Sequence, residues 1–221
     1  MSTQIANYYE IVSQLPEDAS VTFQNVSWDE YEELLEQVGE APGLRITYNS
    51  GSLHAMTISP EHEKYAFFIN SMIAGIRLRL KIDILAFGSS TMRKRRKSKG
   101  GEPDACFYVQ TAALIGNRIH LDFETDPPPD IVVEIDVHHD SRSKFPVYAA
   151  LGVPEIWRYD GQLMTILHLS DAGHEQYLVQ DTSTALPMLS ARLLTETIDR
   201  MRTDGELSAL LAFDEWLQSR E

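Results

Sequence analysis

Asp130-Ile131-Val132-Val133-Glu134-Ile135-Asp136 is the stretch from which the fold is read. Its residues alternate, so that Ile131, Val133, Ile135 and the following Val137 share one side of an extended chain, while Asp130, Val132, Glu134 and Asp136 share the other. That period predicts a β-strand over residues 130–137, entered through the stiff Asp126-Pro127-Pro128-Pro129. Downstream, a helix is expected from about 142 to 151, ended by Gly152 with Pro154 just beyond. Strands at 155–159 and 163–169 then flank Asp160-Gly161, a strong hairpin signal. A strand at 177–179 and a helical tail from about 191, interrupted at Gly205, complete this half.

Upstream, Ser27-Trp28-Asp29-Glu30 has the form of a capping box ahead of Tyr31, Leu34, Leu35 and Val38, which predicts an amphipathic helix ending at Gly39. Residues 44–48 and 53–58 read as a hairpin closed by Asn49-Ser50-Gly51-Ser52. Ser59 as N-cap and Pro60 at the first helical position begin another helix, with Phe67, Met72, Ile73 and Ile76 as apolar positions toward Leu80. Glu61, His62 and Glu63 occupy its first turn. Strands are expected at 82–87 and 105–109, with 119–123 pairing nearby. The sum is an α/β (α+β) chain, a mixed central sheet with helices against it.

The 221 residues, 43% apolar, can bury a sizeable core, and no repeat or linker asks for a second domain. We therefore expect one domain over 1–221, with the N-terminal helix and hairpin (about 1–58) and the C-terminal helical tail (about 191–221) as elaborations. A lone cysteine, Cys106, excludes a cystine scaffold or a cysteine zinc framework. Met1-Ser2-Thr3-Gln4 does not begin a secretory leader, and no segment approaches the roughly 18 apolar residues of a membrane span. A soluble cytoplasmic protein with no membrane partner is expected.

The formal charge of −14 disfavours phosphate binding by the whole surface. That charge is uneven. Arg93, Lys94, Arg95, Arg96, Lys97 and Lys99 fall within seven residues, which leaves −20 for the rest of the chain. The segment reads as a loop, either simply solvated or in contact with nucleic-acid phosphates.

Glu134 and Asp136 project from one face about 6 to 7 Å apart along the strand. By pattern alone this also fits a half-exposed strand with its acids in water. A third carboxylate, Asp104 after Pro103, opens a different short strand, and carboxylates gathered at one locus repel unless a cation neutralises them. Such oxygen ligands suit Mg²⁺ or Mn²⁺, the cations of phosphodiester hydrolysis. Lys144, near the start of the next helix, is the candidate to orient an attacking water, although a lone helical lysine also fits a surface cation.

Gly101-Glu102-Pro103-Asp104, the block from Asp126 to Asp136, and the block from Tyr148 through Gly152-Val153-Pro154-Glu155-Ile156-Trp157-Arg158-Tyr159 resemble the Uma-type restriction endonuclease family, a branch of the PD-(D/E)XK nucleases abundant in cyanobacteria. The likeness runs from roughly Trp28 through Trp216. It implies a restriction-endonuclease-like core, DNA as substrate, and Asp104 and Glu134 as metal ligands, completed by Glu61 or His62. The general signature has lysine two residues after the glutamate. Asp136 stands there instead, and the resemblance moves the lysine to Lys144.

The leading expectation is a Mg²⁺-dependent DNA endonuclease. In it Asp104 and Glu134 hold the metal, Asp136 assists, Lys144 orients water, His62 or Glu61 supports the site, and the basic segment meets the DNA backbone. A homodimer would let two copies cut two strands. The alternatives are an inactive nuclease-fold binding or assembly module and a metal-dependent hydrolase of a small phosphate ester. Among other candidates, His138 and His139 point oppositely on an extended chain and so do not chelate one ion easily. Cys106, Trp157 and Tyr159 read as packing residues, Glu102 as a supporting or exposed acid, and Asp130 as a structural or rim carboxylate.

Overall fold

A computed structural model describes residues 8–39, 43–170 and 176–220; the N-terminal stretch Met1 to Gln4 lies outside these. In chain order the elements are α1 (Tyr8–Val12), β1 (Ser20–Phe23), α2 (Trp28–Val38), β2 (Leu44–Asn49), β3 (Ser52–Thr57), α3 (Pro60–Leu80), β4 (Leu85–Ala86), β5 (Met92–Lys94), β6 (Lys99–Gly101) and β7 (Ala105–Tyr108). There follow α4 (Ala112–Ile115), β8 (Ile131–Ile135), α5 (Phe145–Leu151), β9 (Glu155–Tyr159), β10 (Met164–Leu169), β11 (Tyr177–Gln180), α6 (Ala191–Asp204) and α7 (Glu206–Gln218).

The strand that decides the reading lies inside a six-stranded mixed sheet of order β11-β10-β9-β8-β7-β4. Only β8 and β9 run parallel, with Ile131 beside Glu155 and Ile135 beside Tyr159. Parallel neighbours need a crossover, and the segment carrying α5 supplies it. One face of the sheet, with Ile131, Val133, Ile135, Trp157 and Tyr159, packs on α3, α6 and α7. The opposite face, with Cys106, Val132 and Ile156, packs on Val147, Tyr148 and Leu151 of α5. Both sides of β8 are therefore covered, as expected of a parallel-paired strand. The half-exposed reading of this strand fails, because Glu134 is only 1% exposed.

Local signals explain the helices. Ser27 Oγ accepts from the Glu30 N–H, and Glu30 accepts in return from the Ser27 N–H at 2.7 Å, the reciprocal box that starts α2. Ser59 caps α3 by accepting from the His62 N–H, with Pro60 at the first position. That cap fixes His62 at the mouth of the helix. Gly152 ends α5 at φ 88°, a left-handed conformation that glycine adopts without penalty. The helical tail is interrupted at Gly205, as expected.

Several boundaries differ from the sequence reading. The expected basic loop is a hairpin of β5 and β6 joined by a 3-10 turn, Arg95–Lys97, and it extends a second sheet of order β1-β3-β2-β6-β5. Gly100 of β6 has to be glycine, since a Cβ there would meet Tyr31 Cζ at 2.9 Å. The expected strand over 82–87 shrinks to Leu85–Ala86. No strand forms at 119–123, where Asp122 and Asp126 instead close a turn through the Asp122 N–H. The helix expected from 142 begins as a 3-10 turn, Ser141–Lys144. Phe67, expected on the apolar side of α3, is 71% exposed. Among the described residues no helix is long and apolar enough to cross a membrane.

Candidate active site

Asp104 stands one residue before β7, and the pairing of Ala105 with Val133 places it opposite Glu134. Its N–H donates to Val133 O at 3.0 Å. Side chains alternate along a strand, so Asp104 faces the same way as Cys106, and Glu134 the same way as Val132. Both carboxylates therefore lie on the α5 side of the sheet.

Asp104 Oδ2 accepts from the Ile135 N–H at 2.7 Å and lies 2.9 Å from His62 Nε2, at an angle outside that of a hydrogen bond. Its Oδ1 is 3.4 Å from Arg45 Nε and has no hydrogen-bond partner, although the side chain is buried. Burial works to raise this carboxyl, but the close His62 imidazole and the charges of Lys144 and Arg45 outweigh it and hold the group below its ordinary value.

Glu134 is held from two sides. Lys144 Nζ donates to Oε2 at 2.8 Å and the Tyr148 hydroxyl donates to Oε1. Burial, reinforced by Asp104, nonetheless pushes the Glu134 carboxyl up to about 8. Burial opposes the charge on Lys144, yet Glu134 and Asp104 prevail and its ammonium is held above the ordinary range. Glu134 thus resists ionisation in the metal-free site, a cost that a divalent cation would offset. Lys144 Nζ also donates to Glu102 O at 3.1 Å. The Glu102 carboxylate accepts from the Ile46 N–H at 2.9 Å and Thr91 Oγ1 at 2.6 Å, tying the segment before Asp104 to β2.

The other sequence candidates fall in different places. Asp136, buried at 8% exposure, accepts from the Ser141 N–H and hydroxyl and from Arg158 Nε. It anchors the turn that carries Lys144 instead of joining the Asp104–Glu134 pair. His62 reaches Asp104, whereas Glu61 lies on the rim, 3.4 Å from His138 Nε2. His139 Nε2 is buried without a hydrogen-bond partner. Cys106 is wholly buried, and burial pushes its thiol up to about 12. Trp157 and Tyr159 are core residues, and Asp130 accepts from backbone at Val109 and Thr111.

On the basic hairpin, Arg95 pairs with Asp29 and with Glu32, and Arg96 Nε lies 3.7 Å from Glu124. Lys97 donates to Ala150 O, and Lys99 to Asn49 and Ser50. Arg93 is exposed and Lys94 half-buried, with no ion pair found for either among the described residues. The hairpin runs through Gly101-Glu102-Pro103 directly into Asp104, so it borders the site.

Sequence reasoning passed over Arg45 and Tyr148. A signal existed for each: Arg45 is the one charge in its strand, between Leu44 and Ile46, and Tyr148 stands four residues after Lys144, on the same helical side. Among the described residues no group of three or more His, Cys, Asp or Glu is arranged around a metal position. Mg²⁺ needs only one or two protein carboxylates. Asp104 Oδ1, which accepts no hydrogen bond, together with Glu134 therefore fits such an ion.

A family model described as "Uma2: Putative restriction endonuclease" matches residues 28–201. No curated protein matches the chain. The family match spans most of the chain and includes Asp104, Glu134 and Lys144, together with the mixed sheet that positions them. The chain belongs to the Uma2 restriction endonuclease family, and its fold is the α/β fold of restriction-endonuclease-like proteins.

Proposed function

We propose that this protein is a cytoplasmic, Mg²⁺- or Mn²⁺-dependent endonuclease that hydrolyses DNA phosphodiester bonds. The observation that carries this reading is the buried Asp104 Oδ1, which accepts no hydrogen bond and has Arg45 Nε at 3.4 Å, next to a buried Glu134 held by Lys144. Asp104 and Glu134 would hold the cation, which polarises a phosphoryl oxygen and lowers the pKa of the attacking water. Lys144, fixed by Glu134 Oε2 and Glu102 O, orients that water and offsets the developing charge. Tyr148 fixes the Glu134 rotamer, and Asp136 fixes the turn that presents Lys144. His62 steadies Asp104 Oδ2, and Glu61 lines the rim. Arg93, Lys94, Arg95, Arg96, Lys97 and Lys99 meet the DNA backbone, and a homodimer brings one site to each strand.

The test is incubation of supercoiled and linear DNA with Mg²⁺ or Mn²⁺, beside Glu134→Ala and Lys144→Ala. Metal-dependent nicking lost in both variants is expected. Product no greater than the Glu134→Ala background across metals would sink the reading. The pairing of Arg95 and Arg96 with the chain's own acids favours a second reading, a binding module that does not cut. DNA retention without cleavage in the same assay selects it.

A further inference from the structure

The hairpin β2–β3 lies outside the signature residues, yet one of its faces is a wall of the site. Directly opposed residues of an antiparallel pair share a face. Arg45 opposite Met56 and Thr47 opposite His54 therefore form one face, while Ile46, Tyr48, Leu53 and Ala55 belong to the apolar cluster with α2. Arg45 and Thr47 are each 6% exposed. Buried polar atoms are normally hydrogen-bonded, but Arg45 Nε and Thr47 Oγ1 are not.

The guanidinium is held by its other nitrogens. Nη1 donates to Leu44 O at 3.2 Å and Nη2 to Glu63 Oε1 at 3.0 Å, which leaves Nε 3.4 Å from Asp104 Oδ1. Thr47, two residues on along the same face, lies beside Gly101. A Cβ at Gly101 would lie 3.8 Å from Thr47 Cγ2 and 3.7 Å from Cε1 of Tyr148, the residue that holds Glu134. His54, directly opposite Thr47, belongs to this wall too, and burial, then the nearby Lys144 and His139, depress its imidazole. A fixed, desolvated arginine whose Nε–H makes no hydrogen bond is a strong charge-assisted donor to a phosphoryl oxygen.

We propose that Arg45 and Thr47, with His54 beside them, form a subsite for the non-bridging oxygens of a phosphodiester, facing Asp104. This rests on the nuclease reading. The Asp104 carboxylate, 3.4 Å from Arg45 Nε, competes with a substrate anion for that N–H, so the test removes its charge by substitution.

The experiment titrates thymidine dinucleotide, which carries a single phosphodiester, into metal-free Asp104→Asn protein by calorimetry. Binding is expected, weakened at least about tenfold by adding Arg45→Ala and about threefold by adding Thr47→Val. Arg45→Lys, which keeps the charge opposite Glu63, serves if Arg45→Ala fails to fold, and is expected to lose affinity because it lacks the fork. No binding to Asp104→Asn, or unchanged affinity in the folded Arg45 variants, overturns the subsite. Wild-type cleavage reads the other claim separately. Binding by Asp104→Asn with no wild-type cutting would reject the nuclease and keep the subsite. Cutting that is equal in wild type and Arg45→Ala would reject the subsite and keep the nuclease.

Discussion

Strand β8 has buried carboxylates at both ends, and the two ends satisfy them with different balances of backbone and ionisable partners. At its start, Asp130 Oδ2 accepts from the Val109 N–H at 2.7 Å, the Thr111 N–H at 3.0 Å and the Thr111 hydroxyl at 2.9 Å. Beside it on β9, Glu155 accepts from the Trp157 indole and from the Thr184 and Ala185 N–H groups, with His168 Nε2 3.2 Å from its Oε2. At the far end, Asp104 and Glu134 are met chiefly by ionisable side chains, His62, Arg45, Lys144 and Tyr148, and one oxygen is left over. Backbone donors are fixed once the chain folds. Ionisable partners and an unused oxygen can be exchanged for a cation or a substrate. Burial alone therefore does not mark a functional acid, and a set of mainly ionisable partners does.

The sharpest way to break this contrast is to remove one acid from each end. Glu134→Ala is expected to lower DNA cleavage by about 10³-fold while the protein stays folded, as read by nicking rate beside a melting curve. Glu155→Ala strands three donors, which costs about 3 kcal/mol of stability in a urea titration and leaves the cleavage rate of the folded fraction unchanged. A stable, inactive Glu155→Ala would erase the distinction.

A smaller effect concerns pH. Because the Glu134 carboxyl moves from 4.5 up to about 8 on folding, the folded chain keeps a proton that the unfolded chain has already lost. Its contribution is fully present below pH 4.5 and disappears as pH rises through about 8, so this group makes metal-free stability fall across that window. Glu134→Gln is expected to flatten that part of the slope in urea titrations at stepped pH. The smallest effect belongs to the exposed hairpin. Asp29→Asn, which removes one partner of Arg95, leaves stability almost unchanged in a urea titration. It is expected to strengthen DNA binding at low salt, as measured by a salt series.

What could be read from the sequence follows from how local each signal is. The alternation through Ile131, Val133 and Ile135, and the cap at Ser59-Pro60, act within a few residues, and both elements form. Arg93 to Lys99 has few β-favouring residues, and its pairing depends on a distant strand, Tyr48 beside Gly100. No local pattern announces that. β1 is four residues long and at most half-buried, too short and too wet for a periodic signal. Within the site, the neighbourhood of Asp104 and Glu134 follows from two adjacent strands. Arg45 enters by packing of a second sheet, and Asp136 turns to Ser141 and Arg158, contacts that depend on the chain returning through β9.

The most direct test of the contrast is Mn²⁺ binding followed by electron paramagnetic resonance, on wild type, Asp104→Asn, Glu134→Gln and Glu155→Gln. The account predicts bound Mn²⁺ in wild type and Glu155→Gln, lost in Asp104→Asn and Glu134→Gln. Wild-type binding no greater than in those two variants, or a loss confined to Glu155→Gln, would contradict it.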